Sequence, residues 1–242
     1  MTISLVTGAG SGIGAATARI LEARGDRVVC ADLDLDRAES VAAELGDAVA
    51  VQADVADEAS SKRMVEAALE AFDDLDVLVA CAGIEIGGDA LEVDAATFRR
   101  VVDVNLTGSF LSAQHAARAM RDRGHGGAIV LIGSINSQMA LPGAAAYCAS
   151  KGGVVMLGRA LAVDLAAAGI RVNVVGPGVT DTPMSAATLA DPERSAAFLG
   201  RIPLRRPADP MEIAAAAAFL TSDEASYITG AFLPVDGGWL AG

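Results

Sequence analysis

Cysteine and histidine are scarce in this chain. Cys30, Cys81 and Cys148 stand far apart and form no C-x-x-C, and His115 and His125 are the only histidines. A disulfide framework and a zinc site both lack ligands, so no metal is expected. Basic residues are also few: 18 Lys and Arg face 31 Asp and Glu, a formal charge of -13. That balance repels a phosphate backbone and argues against nucleic acid as a partner. The longest apolar run, Ile213 to Leu220, falls well short of the roughly 18 to 20 residues a spanning helix needs. No membrane association is expected. Met1 to Leu5 shows no basic n-region followed by an apolar stretch, so the expected location is cytoplasmic. No Pro- or Ser-rich linker, low-complexity tract or internal repeat divides the chain. With 242 residues, 52% of them hydrophobic, it can bury a large core, and residues 1–242 read as a single domain.

What the chain does have is a rhythm. Short runs rich in Val, Ile and Leu recur at Ile3 to Val6, Val28 to Ala31, Val49 to Val51, Val77 to Ala80, Ile129 to Ile132 and Val172 to Val175. Runs without polar alternation fit strands buried on both faces. Between them lie helical patterns at Asp36 to Leu45, Glu58 to Phe72, Ala95 to Arg123 and Tyr147 to Ala168, several stopped by glycine. Alternation of this kind predicts a doubly wound, Rossmann-type α/β domain with a central parallel sheet between helices.

The first strand-to-helix turn reads Thr7-Gly8-Ala9-Gly10-Ser11-Gly12-Ile13-Gly14. Glycines there expose backbone amides to a helix N-terminus, where a pyrophosphate can sit. Asp32 follows Gly14 by 18 residues at the end of the second run, where an acidic side chain can accept from a ribose hydroxyl. A 2′-phosphate beside Asp32 would meet like charge, at about 1 kcal/mol in water and about 4 kcal/mol at a partly buried site. Ser11 supplies no compensating cation, so NAD is expected over NADP.

Tyr147 and Lys151 stand four apart at a predicted helix start and share one face. With two Tyr and two Lys in the chain, that spacing has a chance expectation of about 0.02. A phenol titrates near pH 10, too high for acid–base work at neutrality. An ammonium within about 4 Å would lower it by up to about three pH units. Ser134 follows the fifth strand, where its hydroxyl can meet that of Tyr147 over a shared substrate oxygen. Ser137 competes for the role. Asn105 interrupts a helical stretch, either holding water or backbone or as a simple helix defect.

Taken together, T-G-A-G-S-G-I-G, Asp54-Val55, V-N-L-T-G, Ser134, Y-C-A-S-K, Val172-Asn173, Pro177-Gly178 and I-T-G-A-F-L-P-V-D-G-G-W resemble the short-chain dehydrogenases/reductases. The likeness runs from Thr7 to the C-terminus. It implies a catalytic tetrad of Asn105, Ser134, Tyr147 and Lys151. It also implies a cofactor lying among Gly8, Ser11, Gly12, Ile13 and Gly14, then Asp32, Leu33, Asp54 and Val55, then Ala82 and Gly83. Pro177, Gly178, Val179 and Thr182 would complete the site, with Asn105, Tyr147 and Lys151 also touching the cofactor. In this picture Tyr147 transfers the proton, Ser134 holds the substrate oxygen, Lys151 binds ribose and acidifies Tyr147, and Asn105 holds a water linking Lys151 to solvent. Where the family shows N-N-A-G, this chain has Ala80-Cys81-Ala82-Gly83. Cys81 and Cys148 read as packing residues.

The expected reaction is NAD-dependent hydride transfer between a secondary alcohol and its ketone. Two rivals are a 3-oxoacyl-carrier-protein reductase, docking through Arg99, Arg100, Arg118, Arg121 and Arg123, and an NAD sensor without turnover. Substrate selection is expected from residues 85–91, 136–146 and 182–204, the last a candidate lid interrupted by Pro183, Pro192 and Pro203. Glu85 and Gln138 are candidates to orient a polar substrate. The stretches Met211 to Leu220 and Ala231 to Leu240 offer apolar surface for self-association, and the resemblance implies a homotetramer.

Overall fold

All six apolar runs are strands in the computed structural model, which describes residues 1–242. In chain order the elements are β1 (Ile3–Thr7), α1 (Gly12–Ala23), β2 (Arg27–Asp32), α2 (Leu35–Glu44), β3 (Ala48–Gln52), α3 (Glu58–Phe72) and β4 (Val77–Ala80). There follow α4 (Ala95–Val102), a π-helical turn (Asp103–Thr107), α5 (Gly108–Arg123), β5 (Gly127–Ile132), α6 (Ala145–Leu165) and β6 (Ile170–Pro177). The chain closes with α7 (Ala186–Ala190), α8 (Pro192–Arg201), α9 (Pro210–Thr221) and β7 (Phe232–Val235).

The strands pair in parallel in the order β3-β2-β1-β4-β5-β6-β7. Side chains of a strand alternate between the two faces, and each face has its own core. Ile3 and Leu5 of β1 and Leu78 and Ala80 of β4 pack against α3, α5 and α6. Val6, Val77 and Val79 point the other way, toward α1, α2 and α9. Leu78 is fully buried, and truncating such a leucine to alanine costs about 2–5 kcal/mol. This is the doubly wound Rossmann-type architecture that the alternating runs predict. Part of the acidic surplus caps helices: the carboxylates of Asp34, Asp57, Asp94, Asp191 and Asp209 accept backbone N–H groups at the starts of α2, α3, α4, α8 and α9.

Two features depart from the sequence reading. The helix expected over Ala95 to Arg123 is broken by the π turn at Asp103–Thr107, which carries Asn105. One extra residue per turn re-aims the side chains there, a device common at functional sites. The C-terminal apolar stretch is also not simply free surface. Phe232–Val235 adds β7 to the sheet edge beside β6, and Met211 to Leu220 belongs to α9, whose Ile213, Ala214, Ala217 and Leu220 are buried. A four-residue strand containing Pro234 lacks a strong periodic signal, and proline is tolerated at an edge.

The order matters for function because the chain turns back at β1. From there it winds outward through β2 and β3, then returns to place β4 on the other side of β1. The loops leaving β1 and β4 diverge over opposite faces and open a crevice at their C-terminal ends.

Candidate active site

That crevice is a cavity of about 670 Å³. One wall is the glycine turn, through Gly8, Ser11, Gly12, Ile13 and Gly14; Asp32, Leu33, Asp54, Val55, Ala82, Gly83 and Thr182 also line it. A Cβ on Gly14 would come within 2.0 Å of the Gly8 carbonyl oxygen, and one on Gly8 within 2.9 Å of the Ala82 backbone. No side chain fits at either position. The turn therefore presents bare amides at the N-terminus of α1, a cradle for an anionic group. Asp32 accepts from the Gly10 N–H (2.8 Å) through one carboxylate oxygen and from the Asp34 N–H (3.0 Å) through the other. Two amides leave lone pairs free on a carboxylate with about four acceptor sites. The residues present thus fit a dinucleotide, with its pyrophosphate on the turn and its ribose on Asp32.

Some of the wall was not foreseen. Arg99, Arg100, Asp103 and Val104, from α4 and the π turn, line the cavity, although the two arginines read in sequence as part of a docking patch. Their position two turns or less before Asn105 on the same helical segment was the available signal. Of the other arginines in that patch, Arg121 pairs with Asp122 and Arg123 with Asp73. Cys81, read as packing, also faces the cavity. Burial pushes its thiol up to about 12, so it is not a nucleophile at neutral pH. Arg37 is a cation that the sequence reading overlooked: its Cβ lies 2.7 Å from where a Gly10 Cβ would stand, and its guanidinium pairs with Asp34 at 3.1 Å.

No residue of the implied tetrad lines this cavity itself; Asn105 and Lys151 stand beside Gly83 of its wall, and the Tyr147 ring lies near Lys151. A Cβ on Gly83 would lie 3.2 Å from Asn105 Oδ1 and 3.5 Å from Lys151 Nζ. Lys151 is 4% exposed and donates to the Ile132 carbonyl oxygen at 2.7 Å. Burial lowers its ammonium to about 8. Ser134 and Ser137 compete no longer. The Ser137 hydroxyl donates to the Lys151 carbonyl oxygen (2.8 Å) and accepts from the Ser134 N–H (3.2 Å), which ties the β5 loop to α6. Ser134 Oγ accepts from the Asn136 N–H at 3.1 Å.

Two expectations change. The Lys151 ammonium stands 5.7 Å from the centroid of the Tyr147 ring, yet the phenol is not acidified. Burial and the Glu85 carboxylate hold the phenol above its ordinary value, and the Ser134 hydroxyl pulls the other way. Desolvation wins because burial penalises the anion more than its neighbours favour it. Asn105, expected to hold water, has its side chain engaged in protein contacts. Its Oδ1 accepts from the Ile84 N–H (2.8 Å), and its Nδ2 donates to the Ile84 carbonyl oxygen (2.9 Å) and to Ser150 Oγ (3.0 Å). The side chain acts as a clamp on the strand-like backbone leaving β4.

Pro177, Gly178 and Val179 lie outside the wall of the main cavity. Gly178 donates to the Val235 carbonyl oxygen at 3.0 Å, and Val179 borders a separate small cavity of about 100 Å³ with Leu204 and Arg206. Thr182, Pro183 and Met184 close the main cavity from the segment before α7. Farther along, α8 docks through Phe198, Leu199 and Ile202 against Trp239, whose Nε1 donates to Met139 Sδ at 3.0 Å.

Residues 8–240 match a protein-family model described as enoyl-(acyl carrier protein) reductase. Cis-4-hydroxycyclohexanecarboxylate dehydrogenase of Sinomonas cyclohexanicum is 46% identical, with 99% of this chain and 96% of that protein covered. Galactitol 2-dehydrogenase (L-tagatose-forming) of Cereibacter sphaeroides is 44% identical, with 97% and 93% covered. Among solved structures, the crystal structure of gox2181 superposes with a TM-score of 0.97 at 35% identity, covering 100% of this chain and 96% of that one.

Proposed function

From the premise that the chain belongs to the short-chain dehydrogenase/reductase family and is an oxidoreductase, we propose that it interconverts a small secondary alcohol and its ketone, with NAD as the preferred coenzyme. The observation that carries this reading is a glycine cradle with an acidic partner in one cavity, with Asn105 and Lys151 standing beside Gly83 of its wall. A nicotinamide coenzyme held along this cavity would supply the acceptor or donor of the hydride exchanged with the carbinol carbon.

The chain's own groups handle the proton and the geometry. As the phenolate, Tyr147 takes the hydroxyl proton of the alcohol as its carbon is oxidised; as the phenol it returns that proton to the oxygen in the reverse direction. Ser134 holds that oxygen by a hydrogen bond, with its own lone pair fixed by the Asn136 amide. Lys151, anchored on the Ile132 carbonyl oxygen, places a buried positive charge beside the phenol and stabilises it when it is anionic. Asn105 positions the residues after β4. The lid role of residues 182–204 is supported by Thr182, Pro183 and Met184 on the cavity wall and by the docking of α8 on Trp239.

Two relatives are named for a hydroxycyclohexane acid and a hexitol, both secondary alcohols, which supports that substrate class. The reading further takes the protein to be cytoplasmic and a homotetramer. The pairing of Arg121 and Arg123 with carboxylates weakens the patch a carrier-protein reductase would use. The test is incubation with NAD and a panel of secondary alcohols, following the absorbance of reduced nicotinamide. Growth of that band supports the reading. Tight NAD binding with no turnover on any alcohol or ketone would identify a sensor instead.

A further inference from the structure

The loop after β5 carries two side chains that tie it to α6. The Ser137 hydroxyl donates to the Lys151 carbonyl oxygen at 2.8 Å and so holds the loop backbone. Asn136 does something different, because its side chain meets the Ser134 hydroxyl itself. Its Oδ1 accepts from Ser134 Oγ at 3.5 Å, and its Nδ2 donates to Cys148 Sγ at 3.3 Å. Cys148 follows Tyr147 directly on α6. One amide thus joins the hydroxyl that holds the substrate oxygen to the neighbour of the tyrosine that moves its proton. The bond from the Asn136 backbone N–H to Ser134 Oγ, 3.1 Å, is an ordinary serine turn that any residue except proline supplies. That turn does not need the side chain. Yet Asn136 is only 7% exposed, and an amide is costly to bury unless its ends find partners.

We infer that Asn136 is a positioning residue, whose side chain sets the Ser134 hydroxyl at a fixed spacing from Tyr147 for the oxygen the two share. The inference rests on the alcohol–ketone reading above and adds a residue to that same site. The lengths of the two contacts suit the task. At 3.5 Å, Oδ1 lies beyond the ordinary range of about 2.5–3.0 Å for O–H···O, so it guides the Ser134 proton without keeping it. A substrate oxygen at normal distance takes that proton over, while the backbone N–H continues to hold Oγ. At the far end, the contact with sulfur fixes which end of the amide faces Ser134. With the ends exchanged, a donor would face the serine and leave its proton without an acceptor.

The experiment is a double-mutant cycle, read as kcat and KM with NAD and the best alcohol of the panel above. N136A should lower kcat by about three- to tenfold, the range that one neutral hydrogen bond spans, and leave the KM for NAD within about twofold of native. Added to S134A, the same substitution should change nothing, because its effect passes through the Ser134 hydroxyl. A residue that merely packs the loop would lower the rate in both backgrounds. Where N136A does not fold, or S134A is too slow to read, the far end of the amide carries the test. C148A should lower kcat by about two- to fivefold, and C148S, which returns an acceptor, should recover it. An N136A rate within about twofold of native, a further loss when N136A joins S134A, or in the second arm a C148A rate equal to native or a C148S rate no better than that of C148A, overturns the inference alone. If the native chain oxidises no alcohol, the alcohol–ketone reading falls and takes this one with it.

Discussion

Coenzyme choice should hinge on the Asp32 carboxylate, and its size follows from the contacts. Both oxygens are held by backbone amides, of Gly10 and Asp34, so the anion cannot swing away from a ligand at the end of β2. A 2′-phosphate about 4 Å from it would be opposed by about 4 kcal/mol at an effective dielectric near 20, and by about 1 kcal/mol if fully hydrated. At about 1.4 kcal/mol per decade, NAD should be preferred by between about fivefold and about a thousandfold. Asp32→Asn keeps the shape, removes the charge and leaves one of the two amide bonds without an acceptor. Its kcat/KM with NAD should fall by about ten- to a hundredfold, from weaker hydrogen bonds to the ribose and a loosened turn. With NADP it should rise, because Arg37 stands beside Gly10 and its tie to Asp34 is largely exposed. Adding Arg37→Ala should cancel that gain. The assay is steady-state kinetics with both coenzymes and one alcohol. Equal efficiency of the native chain with NAD and NADP, or an Asp32→Asn ratio within about threefold of native, would refute the argument.

Other perturbations test separate parts of the structure. Tyr147→Phe removes the group proposed to move the proton, so turnover should drop by about 10²- to 10⁴-fold with little change in Tm; undiminished velocity would end the mechanism. Asp209→Ala strips the reciprocal cap of α9, in which Asp209 accepts from Met211 and Glu212 accepts from Asp209. It should cost about 1 kcal/mol and lower Tm by about 2–4 °C, and a Tm equal to native would show that the cap contributes nothing. His125 is raised above its ordinary value by its hydrogen bond to Asp74. A raised histidine stabilises the fold fully below the unfolded value near 6.5 and loses that contribution as pH climbs through the folded one. Because the pair is partly exposed, the effect should stay under about 1 kcal/mol. Tm measured from pH 5.5 to 8 should therefore decline slightly more in the native chain than in His125→Gln, and parallel curves would discount the pair.

Local pattern and tertiary placement left different traces in this chain. The buried strands were legible because burial on both faces writes an unbroken apolar run, as in Val77–Ala80, and glycine marked where α5 stops, at Gly124 in the left-handed conformation. The glycine turn, Asp32, Tyr147 and Lys151 were legible because their chemistry depends on short spacings that one element holds. The π turn was not, since Asn105 read only as a polar interruption of a helix, and the bonds its side chain makes to Ile84 and Ser150 join segments far apart in the chain. Nor was β7, whose short run with Pro234 becomes a strand only because β6 offers it an edge.

Asn105 shows most clearly where residue type stops informing. In the sequence it is a polar interruption of a helix, compatible with a water site, a backbone contact or a defect. In the fold its amide spends both ends on Ile84 and its remaining proton on Ser150, so one side chain links α4 and α5, the exit of β4 and α6. Ser150 in turn donates to the Tyr147 carbonyl oxygen at 2.8 Å. Tyr147 and the loop leaving β4 are therefore referenced to the same amide. An error in the placement of either displaces the other, which keeps Tyr147 and the backbone leaving β4 in constant relation. Such coupling arises from three segments far apart in the chain, and no spacing along any one of them records it.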